Sequence, residues 1–312
     1  MTLFRHHSFA QWTALFKRAF AAWADDYGPS MGAALSYYSV FSMAPLLLLV
    51  ISIAGLAFGQ DAARGELFST IAGLMGPEAA KTLEEMLSAM SKPSRGITGT
   101  AISIGALVIG ATTVFGELQD ALDRIWRAPG RVKAGGLWGL LRSRVLSFGM
   151  ILGIAFLLMV SLVLTAAVSA LGRWWGGFFG EWEVLLQVVN LWTGFLLTGF
   201  GFALIYKFMP RVKVQWRDVL WGAVITSLLF SAGKFFIGLY IGKTGVASGF
   251  GAAGSIAVVF VWVYYSAQIF LLGAEFTWIY AQTFGSLQGA RVVPPAAQQP
   301  MRGVDGAQAT LT

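Results

Sequence analysis

The sequence predicts an all-α integral membrane protein. Its expected architecture is a bundle of six transmembrane helices, with an N-terminal amphipathic helix and a short external helical hairpin. Three observations carry this. Of 312 residues, 56% are hydrophobic and only 12% are charged, with a mean hydropathy of +0.68. A soluble domain carries about 25% charged residues, so this chain cannot cover a water-facing surface in the ordinary way. Six stretches reach the roughly 20 mostly apolar residues that a helix needs to cross a bilayer. They are too long for barrel strands and lack strict alternation. Finally, Lys and Arg cluster in alternate connections between those stretches.

Residues 1–28 read as a cytoplasmic amphipathic arm. In FAQWTALFKRAFAAW, the side chains of Phe9, Trp12, Phe16, Phe20 and Trp23 fall within an arc of about 80° on a helical wheel, away from Lys17 and Arg18. Such a helix either lies in the inner interface or packs as an ordinary amphipathic helix. The membrane domain covers residues 29–284, with spans at about 31–59, 96–116, 145–171, 184–206, 219–242 and 251–281. Residues 60–95 form an external loop. Leu67, Ile71 and Leu74, then Leu83, Met86 and Met90, recur at helical spacing on either side of Gly76-Pro77. Residues 285–312, rich in Gly, Pro, Ala and Gln, read as a disordered cytoplasmic tail.

Orientation follows the cations. Fifteen of the 22 Lys and Arg fall on the side of the N-terminal arm, and six fall opposite. That bias puts both termini in the cytoplasm. The formal charge of +7 is then a property of cytoplasmic loops and calls for no nucleic acid. The first span is too long for a cleavable signal, and no small-residue cleavage site follows it. The chain contains no cysteine, which excludes disulfides, a thiolate nucleophile and a Cys-based metal site.

The first span opens with hydroxyls: residues 34–49 read ALSYYSVFSMAPLLLL. Pro45 has no N–H, so the carbonyl of Phe41 loses its helical donor and a kink is expected. Ser36 and Ser39 share one face, as do Tyr38 and Ser42. Hydroxyls should face the bundle rather than lipid. They are either polar glue between helices or the wall of a wet cavity. Gln187 and Asn190 in the fourth span, and Tyr265 and Gln268 in the sixth, add to a candidate polar interior or transport path. Gln268, Glu275 and Gln282 are spaced by seven and line one face.

Lys234 and Glu275 are the ionisable residues well inside predicted spans, and intramembrane charges mark function by default. At 1.5 Å per residue, Lys234 lies about 25 Å from the inner end of its helix, where it can snorkel outward. Glu275 lies near the opposite, cytoplasmic end, so the two should not pair. Arg211, Lys213 or Arg144 are the partners expected for Glu275. Either a structural ion pair or a role with substrate or proton fits that residue. In ELQDALDRIWR, Asp120–Arg124 and Asp123–Arg127 have i,i+4 spacing, which supports a helix continuing past the second span.

Taken in order, ALSYYSVFSMAPLLL, FGELQDALDRIW, YKFMPRVKVQWRDVLWGA, KFFIGLYIGKTG and VWVYYSAQIFLLGAEF resemble the YihY/virulence factor BrkB family of bacterial inner-membrane proteins, over roughly residues 20 to 285. The resemblance implies six transmembrane helices and a cell-membrane location. Family members have been linked to serum resistance and to lipid export, and the family once carried the label ribonuclease BN. The residues argue against a nuclease. The histidines are His6 and His7, side by side on the arm, and no clustered carboxylate or HxH pattern occurs in a water-exposed domain. We therefore expect no catalytic residues, no metal and no cofactor. No GxxxxGK[ST] motif is present. Membrane lipids are the expected partners, with protein partners and oligomeric state left open. The expected function is a transporter or flippase-like protein for an envelope lipid or amphipathic solute. The alternative is a non-transporting scaffold that binds an envelope partner.

Overall fold

The structure is a computed structural model that describes residues 8–90, 97–128, 145, 149–157, 159–161, 163–164, 167, 182–244 and 254–288. Its elements are α1 (Phe9–Asp25), α2 (Gly28–Phe58), α3 (Gln60–Met75), α4 (Pro77–Met90) and α5 (Ile97–Ile125), then α6 (Gly149–Ser161), α7 (Trp182–Phe208), α8 (Trp216–Thr244) and α9 (Gly254–Thr283). No strand occurs among the described residues. Among the described residues, four segments are long and apolar enough to cross a membrane: Gly28–Phe58, Leu191–Phe208, Trp216–Ile237 and Ile256–Thr283. The expected second span coincides with the first part of α5. The expected third span is described mainly over α6, so the described residues hold four apolar helices of crossing length and do not establish the count of six.

Glycine punctuates the chain where helices meet. Gly59 (φ +85°) separates α2 from α3, and Gly76 (φ +92°) separates α3 from α4. These are backbone angles that glycine adopts without steric cost. Across the second of these joints, α3 and α4 pack on one another.

α9 is the central helix. Leu271, Ala274, Glu275, Phe276, Thr277 and Ala281 are all 0–1% exposed. The helix is buried on nearly every side over residues 269–281, and α1, α2 and α8 supply most of its neighbours. Close approach to α8 depends on small residues. A Cβ added at Gly222 would stand 1.8 Å from Thr277 Oγ1, and one at Gly273 would stand 2.0 Å from Thr226 Oγ1. Helix association within lipid rests on this kind of contact, because apolar surface alone gives little driving force there. Across the same interface, the Tyr206 hydroxyl of α7 donates to the Phe270 carbonyl (2.8 Å) and meets Thr226 Oγ1 at 3.1 Å.

α1 packs on the bundle. Trp12 stacks on Phe276 and Tyr280, Leu15 and Ala19 are buried, and Trp23 Nε1 donates to Gln268 Oε1 at 3.1 Å. The aromatic arc divides: Trp12 and Trp23 turn inward, while Phe9 (83% exposed) and Phe20 (58%) stay outside. Packing and an outward apolar strip therefore coexist on one helix.

The ends of the helices sort by charge. The start of α2, the ends of α5, α7 and α9 and the start of α8 meet at one end, held by Arg127–Asp26, Arg211–Asp123, Arg18–Thr283 and Asp218–Ser286. At the opposite end, Trp262 Nε1 donates to the Leu74 carbonyl of α3 at 2.9 Å.

Candidate functional site at Asp26, Arg127 and Glu275

The site grows from two chain reversals. α1 stops at Asp25. Asp26 closes it by donating its N–H to Ala22 O (2.9 Å). Tyr27 adopts a left-handed backbone (φ +60°), and α2 starts at Gly28. Trp23 lies over Gly28, where a Cβ would meet the indole at 2.3 Å. α5 stops at Ile125, and Arg127 also adopts a left-handed backbone (φ +49°). Tyr27 and Arg127 are the non-glycine residues with positive φ among those described. Such a conformation costs of order 1–3 kcal/mol and persists only where surroundings enforce it. Here the enforced contact is one ion pair: Arg127 Nη1 to Asp26 Oδ1 at 2.6 Å, with both side chains largely buried.

Glu275 comes to this pair from α9. It is 0% exposed. Asp26 is within its hydrogen-bonding reach, and the charges of Arg127 and, more weakly, of the exposed Asp25 act on it. The Arg127 guanidinium stands 5.0 Å over the Trp278 ring, one turn further along α9. Yet, among the described residues, neither Glu275 oxygen has a hydrogen-bond donor, nor does Asp26 Oδ2. Two carboxyl groups in reach of one another, both acceptors when ionised, leave no proton between them. Trp126 Nε1 also lacks a partner, but other deeply buried polar side chains are satisfied. Tyr206 bonds Phe270 O, Thr277 bonds Gly273 O, Gln119 bonds Met209 O, and Asp218 accepts from Ser286. An unpaired buried polar group costs about 1–3 kcal/mol, and a charge costs more. Glu275 is therefore the least satisfied side chain in the described core.

The expected partners of Glu275 need correction. Arg211 pairs with Asp123 (3.2 Å) and reaches Gln119, Lys213 is exposed, and Arg144 lies outside the described residues. The cation at Glu275 is Arg127, which the sequence spacing makes an i,i+4 partner of Asp123. That spacing fails because α5 ends two residues earlier. Lys234 stands apart, over the Phe230 ring at 5.9 Å. Its neighbour Gly233 abuts Tyr265 and Ile269 of α9, so Lys234 lies near the level of Tyr265. That is about ten residues, on the order of 15 Å, from Glu275 along the axis.

The remaining candidates spread along α2 and α9. Gln268 Nε2 is 3.5 Å from Pro29 O and lies against Gly32. Ser36 Oγ donates to Phe260 O at 3.2 Å, which joins α2 to α9 as interhelical glue. Ser42 is buried, Ser39 and Tyr265 are half-buried, and Tyr38 is exposed beside Tyr37. Pro45 is buried within a continuous α2, and its ring fills the space over Gly110 of α5, where a Cβ would stand 2.9 Å away. The side chains of Gln187 and Asn190 lie outside the described residues. Among the described residues, no group of three or more His, Asp or Glu is placed to hold a metal.

An apolar groove of about 440 Å³ runs between α6 and α7, lined by Met150, Gly153, Leu157, Gly201, Leu204 and Met209 among others. The last turns of α5 link it to the charged site. Gln119 bonds the Met209 carbonyl, and Asp123 holds Arg211, one turn before Arg127.

Sequence comparison identifies the family of the chain. The profile of the family described as Virulence factor BrkB matches residues 19–297, most of the chain. The chain belongs to the BrkB family. Among its relatives are UPF0761 membrane proteins. That of Tolumonas auensis is 29% identical over 263 residues, covering 81% of this chain and 80% of the relative. That of Psychromonas ingrahamii is 29% identical over 250 residues, covering 78% and 79%. That of Psychrobacter sp. PRwf-1 is 25% identical over 258 residues. This BrkB-family chain spans about half of the Psychrobacter protein, 46% of its length. No solved structure matches the chain. The chain is thus a membrane protein of the BrkB family. Asp26 and Arg127 were the site residues missed by the sequence reading. The signal for Asp26 was its position one residue before the uncharged run that starts at Tyr27.

Proposed function

We propose that this chain is a non-enzymatic, multi-pass inner-membrane transporter, flippase-like in action, with six spans, both termini cytoplasmic, and an envelope lipid or amphipathic solute as cargo. One observation supports this most: Glu275, wholly buried in an apolar helix, faces Asp26 and Arg127 with both its oxygens unpartnered. A structural strut would be satisfied in the resting state. A group that exchanges partners during a cycle is left with capacity to do so. The apolar groove beside α7 supports the amphipathic class of cargo. Its volume lies in the range of small-molecule sites, and each methylene buried there contributes about 0.8 kcal/mol relative to water. The basic end of the bundle, with Lys213 and Arg217 exposed, supports a cargo with an anionic head.

The test is reconstitution. Purified protein in liposomes carrying fluorescent phospholipid is challenged with a membrane-impermeant quencher. Transport predicts that lipid from the inner leaflet becomes quenchable faster than in protein-free liposomes. A rate equal to that of protein-free liposomes, for anionic and zwitterionic lipid alike, supports the scaffold reading instead.

A further inference from the structure

We propose that Asp26 and Glu275 together form a proton-binding site, and that its occupancy gates the movement of α9 against α2 and α5; this rests on the transport reading above. Among the described residues, no donor reaches the free oxygens of this carboxyl pair. Glu275 Oε1 and Oε2 and Asp26 Oδ2 are buried without donors, while the two carboxyls are within hydrogen-bonding reach. Arg127 satisfies Asp26 Oδ1 and supplies one positive charge. With both carboxylates ionised, the trio carries one negative charge in excess. One proton on Glu275 removes that excess and turns its carboxyl into a donor toward Asp26 Oδ2.

Charged groups around the site fit a proton better than a metal cation. Asp26, at the joint of α1 and α2, and Arg127, after α5, act on Glu275, as does the exposed Asp25 more weakly. From α8, Arg217 and Asp218 face Tyr280 instead, more than a turn further along. From α1, Arg18 reaches Thr283. A metal cation would sit beside the guanidinium of Arg127 with three free carboxylate oxygens, too few for a hard cation that takes six or more ligands. A proton needs one acceptor and one bond.

The step balances simply. When the site opens to water, the O–H bond of Glu275 breaks, the proton passes to water, and the bonding pair remains on the carboxylate. Two carboxylates then compete for Arg127. Their repulsion drives Glu275 from Asp26, which moves α9 relative to the joint of α1 and α2. Reprotonation restores the contact.

The experiment uses the full chain in lipid nanodiscs and proteoliposomes. Infrared difference spectra across the neutral pH range report a protonated carboxyl. The wild type should show a carboxylic C=O band that disappears with rising pH. Glu275→Gln should lack it. Asp26→Asn should lack it too, because Glu275 then takes Arg127 and stays ionised. In the liposome assay, wild-type translocation should vary with pH, and Glu275→Gln, which mimics the protonated state, should flatten that dependence. Wild-type and Glu275→Gln spectra that match across the range, with both proteins folded by size exclusion, overturn the proposal. A band lost on adding sodium at constant pH overturns it in favour of a cation site. A pH-dependent translocation rate retained in Glu275→Gln overturns the gating. Absence of any translocation refutes the transport reading, and with it the gating, while the band still decides whether the proton is held.

Discussion

Replacing Arg127 with Gln removes the cation that, among the described residues, serves two buried carboxyls. The Arg127 and Asp26 side chains are 26% and 10% exposed. Breaking a buried pair by deleting one partner costs about 3–5 kcal/mol. The residual exposure of Arg127 places the expected loss at the low end, about 3 kcal/mol. Asp26→Asn should cost at least ~1 kcal/mol less, because Arg127 keeps Glu275 as an alternative carboxylate, whereas Arg127→Gln strands both acids. The double variant, with an amide on each side, removes both charges together. Its cost should fall below the sum of the singles by about 2 kcal/mol, against the roughly 0.3–0.5 kcal/mol scatter of independent sites. Equilibrium unfolding in mixed micelles reads all three values. Equal losses for the two single variants, or strict additivity, would refute the three-residue site.

Three further outcomes follow from the packing and the charge distribution. Gly273→Ala places a Cβ 2.0 Å from Thr226 Oγ1 and 2.7 Å from the Tyr206 hydroxyl. It should lose about 1–3 kcal/mol as overpacking, with part regained when Thr226→Ala is added, as read by melting of the detergent-solubilised protein. Gly110→Val should separate α2 from α5 because its Cβ meets the Pro45 ring at 2.9 Å, and Pro45→Ala should relieve that clash in the same melting measurement. A reporter fused after Gln288 should read cytoplasmic, as the Lys/Arg bias requires; a periplasmic signal would refute the orientation.

The all-helical class and four of the apolar spans were legible because lipid imposes length and hydropathy on each helix, and both are written locally. The joint between α3 and α4 was legible for the same reason: Gly76 and Pro77 interrupt a helical period. Glu275 was legible as a charge in an apolar run. Its partner was not. Arg127 stands four residues after Asp123, and nothing local shows that α5 ends at Ile125 and turns Arg127 through a left-handed backbone toward Asp26, 101 residues earlier. Pro45 illustrates the converse. Its missing N–H was visible, but the glycine that receives its ring lies on another helix.

The absence of cysteine from the chain makes the central claim, that Glu275 works at a site which opens to water, directly measurable. A single Glu275→Cys substitution creates the sole thiol. A small, membrane-impermeant thiol reagent reacts only with a thiol that water reaches. The account predicts labelling in sealed vesicles when the reagent is added on the side of the basic loops, although Glu275 is 0% exposed in the structure. Labelling from neither side in vesicles, together with full labelling after denaturation, would show a sealed structural position and contradict the account.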